Sequence, residues 1–194
     1  MAWSDQPCPT IIAQLVAGLQ RVVPPVHQQR QRVLQDLGVG PSTEAVAEIL
    51  HDEPGFVWLD GTAWQGDLLA RPVAVIRQQA GVATIDGPGG TQRLEARGID
   101  LLDAALQAFG GVPGAALVGY IGYEIGGELE SVEARPSVGG ELPDLALGLY
   151  DATLHCDADG RWSLESTGRW RHDDGLSRST QRWRDWLAQA RDSA

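Results

Sequence analysis

The chain contains no lysine; all 15 of its basic side chains are arginine. That absence removes two mechanisms. A Walker-type phosphate loop needs its lysine, and Schiff-base chemistry needs a lysine amine. Cysteine is scarce too, with two in 194 residues. Cys8 and Cys156 lie far apart in no metal-ligand spacing, so free thiols of a reducing compartment are expected. No apolar run approaches membrane-spanning length. The opening Met1-Ala-Trp-Ser-Asp5 lacks the basic start and apolar core of a signal peptide. A soluble, cytoplasmic protein is expected.

Positive charge is short overall. Against 26 acidic residues it leaves a net charge of −11, which argues against nucleic acid and anionic membrane as partners. The distribution is uneven: residues 1–160 hold 8 arginines against 21 acids, whereas 161–194 hold 7 against 5. The basic end has the residue types of a single-strand stacking platform. Helical spacing explains Trp183 and Trp186 more simply, as a buried stripe. The four histidines, His27, His51, His155 and His172, show no HxxxH or HExxH spacing. There is no Gly-x-Ser-x-Gly, and neither cysteine has a sequence-supported base. No catalytic and no metal-ligating residue is assigned.

What is present suits a folded core, with 43% apolar residues and seven tryptophans. Helical spacing of Ile11, Ile12, Leu15, Val16 and Leu19 predicts a helix over Thr10–Val23, stopped by Pro24-Pro25. A second helix is read over Val26–Leu37, with Val33, Leu34 and Leu37 on one stripe. A third starts at the N-cap Ser42, with Val46, Ile49 and Leu50 facing inward. Strands follow at Phe56–Leu59, Val73–Arg77 and Gly81–Ile85. The turn Asp86-Gly-Pro-Gly-Gly90 then returns the chain into Thr91–Glu95. Ile99–Phe109 reads as a helix with Leu102, Ala105, Leu106 and Phe109 inside, and with Asp100 and Asp103 near its positive end. Leu145–Cys156 reads as a strand with leucines on one face and Ala146, Gly148 and Tyr150 on the other. Asp159-Gly160 turns it back to Trp162 and Leu164. Trp183, Trp186, Leu187 and Ala190 mark a final amphipathic helix. This is an α+β pattern of largely antiparallel sheets with packed helices. It divides into a helical segment 1–52, an α+β body 53–170 and a C-terminal helix 171–194.

The most informative stretch is Ala116-Leu-Val-Gly-Tyr-Ile-Gly-Tyr-Glu-Ile-Gly-Gly-Glu-Leu-Glu130. Glycine weakens a strand interior, so Gly119 and Gly122 there indicate close backbone approach or a sharp exit. Their spacing is not that of a dinucleotide-binding Gly-x-Gly-x-x-Gly, and no clear helix is read after them. An acidic loop is read from Glu128 to Glu141, and Glu124, Glu128 and Glu130 are read as solvated acids rather than as a carboxylate cluster. Downstream stands Leu142-Pro-Asp-Leu-Ala-Leu-Gly-Leu-Tyr-Asp151, and upstream Pro54-Gly-Phe-Val-Trp-Leu-Asp-Gly61. In order and spacing these three landmarks resemble the N-terminal region of the chorismate-utilising enzymes, namely aminodeoxychorismate synthase component I and anthranilate synthase component I. The resemblance covers roughly residues 50 to 170.

The resemblance implies the N-terminal portion of that fold, serving 4-aminobenzoate and folate synthesis. The catalytic lysine and magnesium ligands of the family belong to a second domain that would begin where this sequence stops, so no cofactor is expected in this chain. The implied partners are a separate chorismate-binding polypeptide and a glutamine amidotransferase subunit, with self-association as another outcome. The glycine-rich strand and the small residues Ala146, Gly148 and Ala152 are the expected parts of an apolar docking surface. The family's tryptophan-type pocket maps onto Leu59, Asp60 and Gly61. Glycine replaces the serine there, and Ala63-Trp-Gln-Gly-Asp67 replaces the usual arginine-serine segment, with Trp64 available to fill the pocket. Tryptophan regulation is therefore not expected, which favours the aminodeoxychorismate branch over anthranilate synthase. A stand-alone amino-acid-binding or docking module, and a structural remnant, are the competing readings.

Overall fold

The computed structural model describes residues 9–24, 32–61, 64–130, 142–167 and 173–192. Cα packing divides the chain into two compact units, each assembled from three separate stretches of sequence. The first comprises residues 1–24, 74–110 and 117–148, and the second 25–73, 111–116 and 149–194. The described residues form two five-stranded sheets.

In the first unit, helix α1 (Pro9–Val22) and helix α3 (Gly98–Phe109) pack together, and α1 also lies on strands β5 (Val82–Gly87) and β6 (Gly90–Glu95). These strands continue from β4 (Ala74–Gln79) as an antiparallel meander. The predicted Asp86–Gly90 turn sets Gly87 opposite Gly90. Strands β7 (Ala116–Ile121) and β8 (Leu145–Tyr150) complete the order β6-β5-β4-β8-β7. The buried face of α1 is Ile12, Leu15, Leu19 and Val22, close to the predicted stripe.

The inner face of α3 differs from expectation. Leu101, Ala104, Ala105, Ala108 and Phe109 are buried, whereas Leu106 is exposed. Both sets fit helical spacing and differ by one position. Alanines against α1 let two helices approach closely, so the bulkier Leu106 turns outward.

The second unit holds β1 (Arg32–Val39), β2 (Val57–Gly61), β3 (Trp64–Leu69), β9 (Ala152–Cys156) and β10 (Arg161–Thr167), ordered β1-β10-β9-β3-β2. Helices α2 (Thr43–Leu50) and α5 (Asp173–Asp192) pack against each other. Val46, Ala47 and Leu50 of α2 and Trp183, Trp186, Leu187 and Ala190 of α5 join Leu68, Leu154, Cys156, Trp162 and Leu164 in one apolar core. Ser42 caps α2 as predicted, its Oγ accepting from Ala45 N at 3.3 Å. Cys156 is a buried free thiol.

Four further readings are corrected. The helix over Val26–Leu37 is replaced in its described part by β1, where Val33, Gln35 and Leu37 are half-buried and Arg32, Leu34 and Asp36 exposed. That alternation of period two is fixed by pairing with β10, and a bulge between Asp36 and Gly38 ends it. Gly38 takes a φ of 79° there, open to glycine at little cost. The single strand Leu145–Cys156 is two strands in different sheets, divided at the buried Asp151, whose carbonyl accepts from Thr167 N. Strand β3 had no counterpart in the sequence reading. Finally, a 3-10 turn (Tyr123–Ile125) and helix α4 (Gly126–Glu130) follow the glycine-rich strand, so Glu128 is helical. Residues 131–141 of the expected acidic loop lie outside the described residues. Among the described residues no helix is long and apolar enough to cross a membrane.

Candidate functional site

The richest side-chain chemistry lies on one face of the second unit's sheet. Pairing sets Asp67 of β3 opposite His155 of β9, and His155 opposite Ser163 of β10. The pleat puts facing residues of neighbouring strands on the same side, and residues two apart on one strand share a face, so Glu165, two beyond Ser163, lies diagonal to His155 on that face. Asp67 Oδ1 lies 2.6 Å from His155 Nδ1. On the other side of the ring, His155 Nε2 is 3.5 Å from Glu165 Oε2. Arg32 then grips Glu165 twice, Nη2 to Oε2 at 2.9 Å and Nε to Oε1 at 2.8 Å. One charged line thus crosses β3, β9, β10 and β1, and all but Arg32 are about a third exposed or less.

Such a line can hold an imidazole rigidly. With Nδ1–H given to Asp67, Nε2 is the accepting nitrogen of the neutral ring, or a second donor when the ring is protonated. It faces a carboxylate rather than a nucleophile, so the geometry is not that of a hydrolytic triad. The arrangement cross-links four strands. Sequence reading passed over it because Asp67 is 88 residues from His155 and Arg32 is 133 from Glu165, and these groups meet only through pairing; no local spacing signals them.

The pocket residues assigned by resemblance adjoin this line. Leu59 pairs with Asp67 across β2 and β3 and is exposed, as is Asp60. Gly61 closes the hairpin opposite Trp64. The reading that Trp64 fills a pocket concerns a side chain outside the described residues, as do Cys8, His27 and His172. Beside Trp58, an open groove of about 680 Å³ is lined by Glu44, Ala47, Glu48, His51, Phe56 and Trp58. The Glu44 carboxyl is held below its ordinary range by its own backbone N–H and the Ser42 hydroxyl. His51 is held locally: its Nδ1 donates to Glu48 O at 2.7 Å, and its Nε2 lies 3.2 Å from Asp52 Oδ1. Among the described residues no group of three or more His, Cys, Asp or Glu is arranged to hold a metal ion.

The residues of the resemblance motifs serve packing. A Cβ on Gly119 would overlap the carbonyl oxygen of Ala146 in the neighbouring β8. Gly122 N donates to Asp144 O at 2.6 Å, and Asp144 N donates to Gln78 O at 2.8 Å. The Asp144 carboxylate accepts from Ala80 N at 2.8 Å, at a residue whose φ of 49° is unusual for alanine. Glu128 reaches from α4 to the start of α3, accepting from Gly98 N and Ile99 N at 3.0 Å each. It thereby serves the helix as a borrowed N-cap, since Arg97 offers none. Of the small residues expected on a docking surface, Gly148 and Ala152 are buried and Ala146 is half-buried. They are not open to a partner. No family model matches the chain, and no curated protein matches it in sequence.

Proposed function

We propose that this chain is the N-terminal, non-catalytic part of an aminodeoxychorismate synthase component I-like enzyme, working in the cytoplasm on the route from chorismate to 4-aminobenzoate and folate. The observation that carries this reading is the use made of the two strongest motifs. Gly119 allows a strand to approach backbone to backbone, Gly122 ties to Asp144, and Asp144 caps the turn after β4. Each motif residue has a reason to be glycine or aspartate that is architectural, as expected of a scaffold whose chemistry lies elsewhere. The absence of lysine from the sequence agrees with this division of labour.

On this reading a chorismate-binding polypeptide, carrying the magnesium ion, and a glutamine amidotransferase subunit complete the enzyme. The purified chain supplied with chorismate, ammonia and magnesium is expected to form no aminodeoxychorismate. On this reading the lysine and magnesium ligands that stabilise charge on a departing hydroxyl belong to the chorismate-binding polypeptide. A chorismate-binding polypeptide of the family, titrated with the chain, should bind it and gain activity. Turnover by the chain alone, or a polypeptide indifferent to it, counts against the proposal.

A further inference from the structure

The groove bordered by α2 and the start of β2 combines two features that weaken the protein when it is empty. The first is charge. Glu44 and Glu48 stand four apart on α2, both exposed and both lining the groove. Like charges at that spacing repel and weaken a helix. Glu48 also lies in the last turn, where the helix dipole disfavours an anion, and no basic residue in that turn offsets it. Among the described residues the groove lining holds no arginine, and His51 is tied to Glu48 O and Asp52. The second feature is an aromatic wall. Trp58 is 38% exposed, yet its ring is seated closely. A Cβ on Gly66 of β3 would stand 2.9 Å from Trp58 Nε1 and 3.4 Å from Thr43 Cγ2. Gly66 has a φ of 141°, and glycine inside a strand weakens it. That glycine makes room for an indole that burial alone does not explain.

We propose that this groove binds a small organic ammonium ion, its charge met by Glu44 and Glu48 and its apolar body by Trp58 and Phe56. Charge complementarity selects the occupant. An ammonium group donates to both carboxylates and relieves their repulsion, and a tryptophan ring attracts a cation further. A bare metal ion would leave the aromatic wall unused, and two carboxylates supply few of the six or more oxygens that calcium takes. A neutral ligand would leave the carboxylate pair unrelieved, and an anion would be repelled. The volume of about 680 Å³ lies within the range of small-molecule sites. The net charge of −11 draws cations towards the protein as a whole. The inference is independent of the metabolic reading above.

Calorimetry of the purified chain with phenethylammonium chloride is the test, set against 2-phenylethanol, which has a similar shape without the charge. The ammonium ion is expected to bind about tenfold more tightly at low salt, with the advantage shrinking as salt is raised. Glu48→Gln should weaken the ammonium ion about threefold and leave the alcohol unchanged. Trp58→Leu should weaken both probes. Thermal melts without ligand give a second readout. Glu48→Gln should melt no lower than the parent, because it removes a repulsion, whereas loss of a purely structural contact would lower the melting temperature. Equal affinity for the two probes overturns the proposal, as does an ammonium ion that fails to bind at millimolar concentration. So does a Glu48→Gln variant that binds the ammonium ion as tightly as the parent.

Discussion

Single residues carry much of the close fit. At Gly119 the obstacle to a side chain is the backbone of β8, which cannot rotate away as a side chain can. Gly119→Ala should therefore destabilise the fold by about 2 kcal/mol or more, at the upper end for overpacking. Gly126→Ala, with open space around its Cβ position, should cost nothing measurable; thermal melts of the pair check the contrast. Cys156 offers a pH signature. Burial first, then the charges of Asp157 and Glu44, pushes its thiol up to about 11 from an ordinary value of 9.0. Between these values the unfolded chain releases a proton that the folded chain keeps, so stability falls as pH rises through that window. Below it the thiol contributes no slope. In denaturant titrations the stability difference between the parent and Cys156→Ala should be constant below that range and shift against the parent as pH rises through it, and thiol reagents should label the native protein slowly at neutral pH.

At the scale of elements, helix ends and strand register matter more than propensity. Helix α3 begins without a cap of its own and borrows one from Glu128, which lies 30 residues downstream of Gly98. Glu128→Ala removes both acceptors from Gly98 and Ile99, an expected loss of about 1.5–3 kcal/mol for hydrogen bonds to a charged group. Faster amide exchange confined to the first turn of α3 would show that the cost is local. Val33, Leu34 and Leu37 explain why β1 was read as a helix. They fit a helical stripe as well as a strand, and only the partner strand β10 selects one. The two phases of α3 were equally legible, and contact with α1 selected the one lined with alanine. Ser42, the Asp86–Gly90 turn and the Trp183–Ala190 stripe were read correctly because their signals are local in sequence.

For the molecule as a whole, both units are discontinuous in sequence, so no cut of the chain yields one of them intact. The clearest whole-molecule question is the tryptophan-type pocket that the resemblance maps onto Leu59, Asp60 and Gly61. Gly61 offers no hydroxyl to an amino-acid head group, and Leu59 and Asp60 are exposed. Loss of one partner to a charged group weakens binding roughly ten- to a hundredfold, so calorimetry should detect little or no tryptophan binding. Micromolar affinity would contradict this, and Gly61→Ser would then be the informative variant.

The amino-acid sequence by itself determined the fold class, most element positions, the helix cap and the exclusion of lysine-dependent chemistry. Each of these follows from composition or from residues within a few positions of one another. Tertiary structure alone decided the strand identity of β1, the break at Asp151, the charged line from Asp67 to Arg32 and the edge position of β7. The physical reason is common to all four. Sheet pairing brings together residues more than a hundred positions apart, such as Arg32 and Glu165, and which strand lies at an edge depends on the order of strands rather than on any strand's own residues.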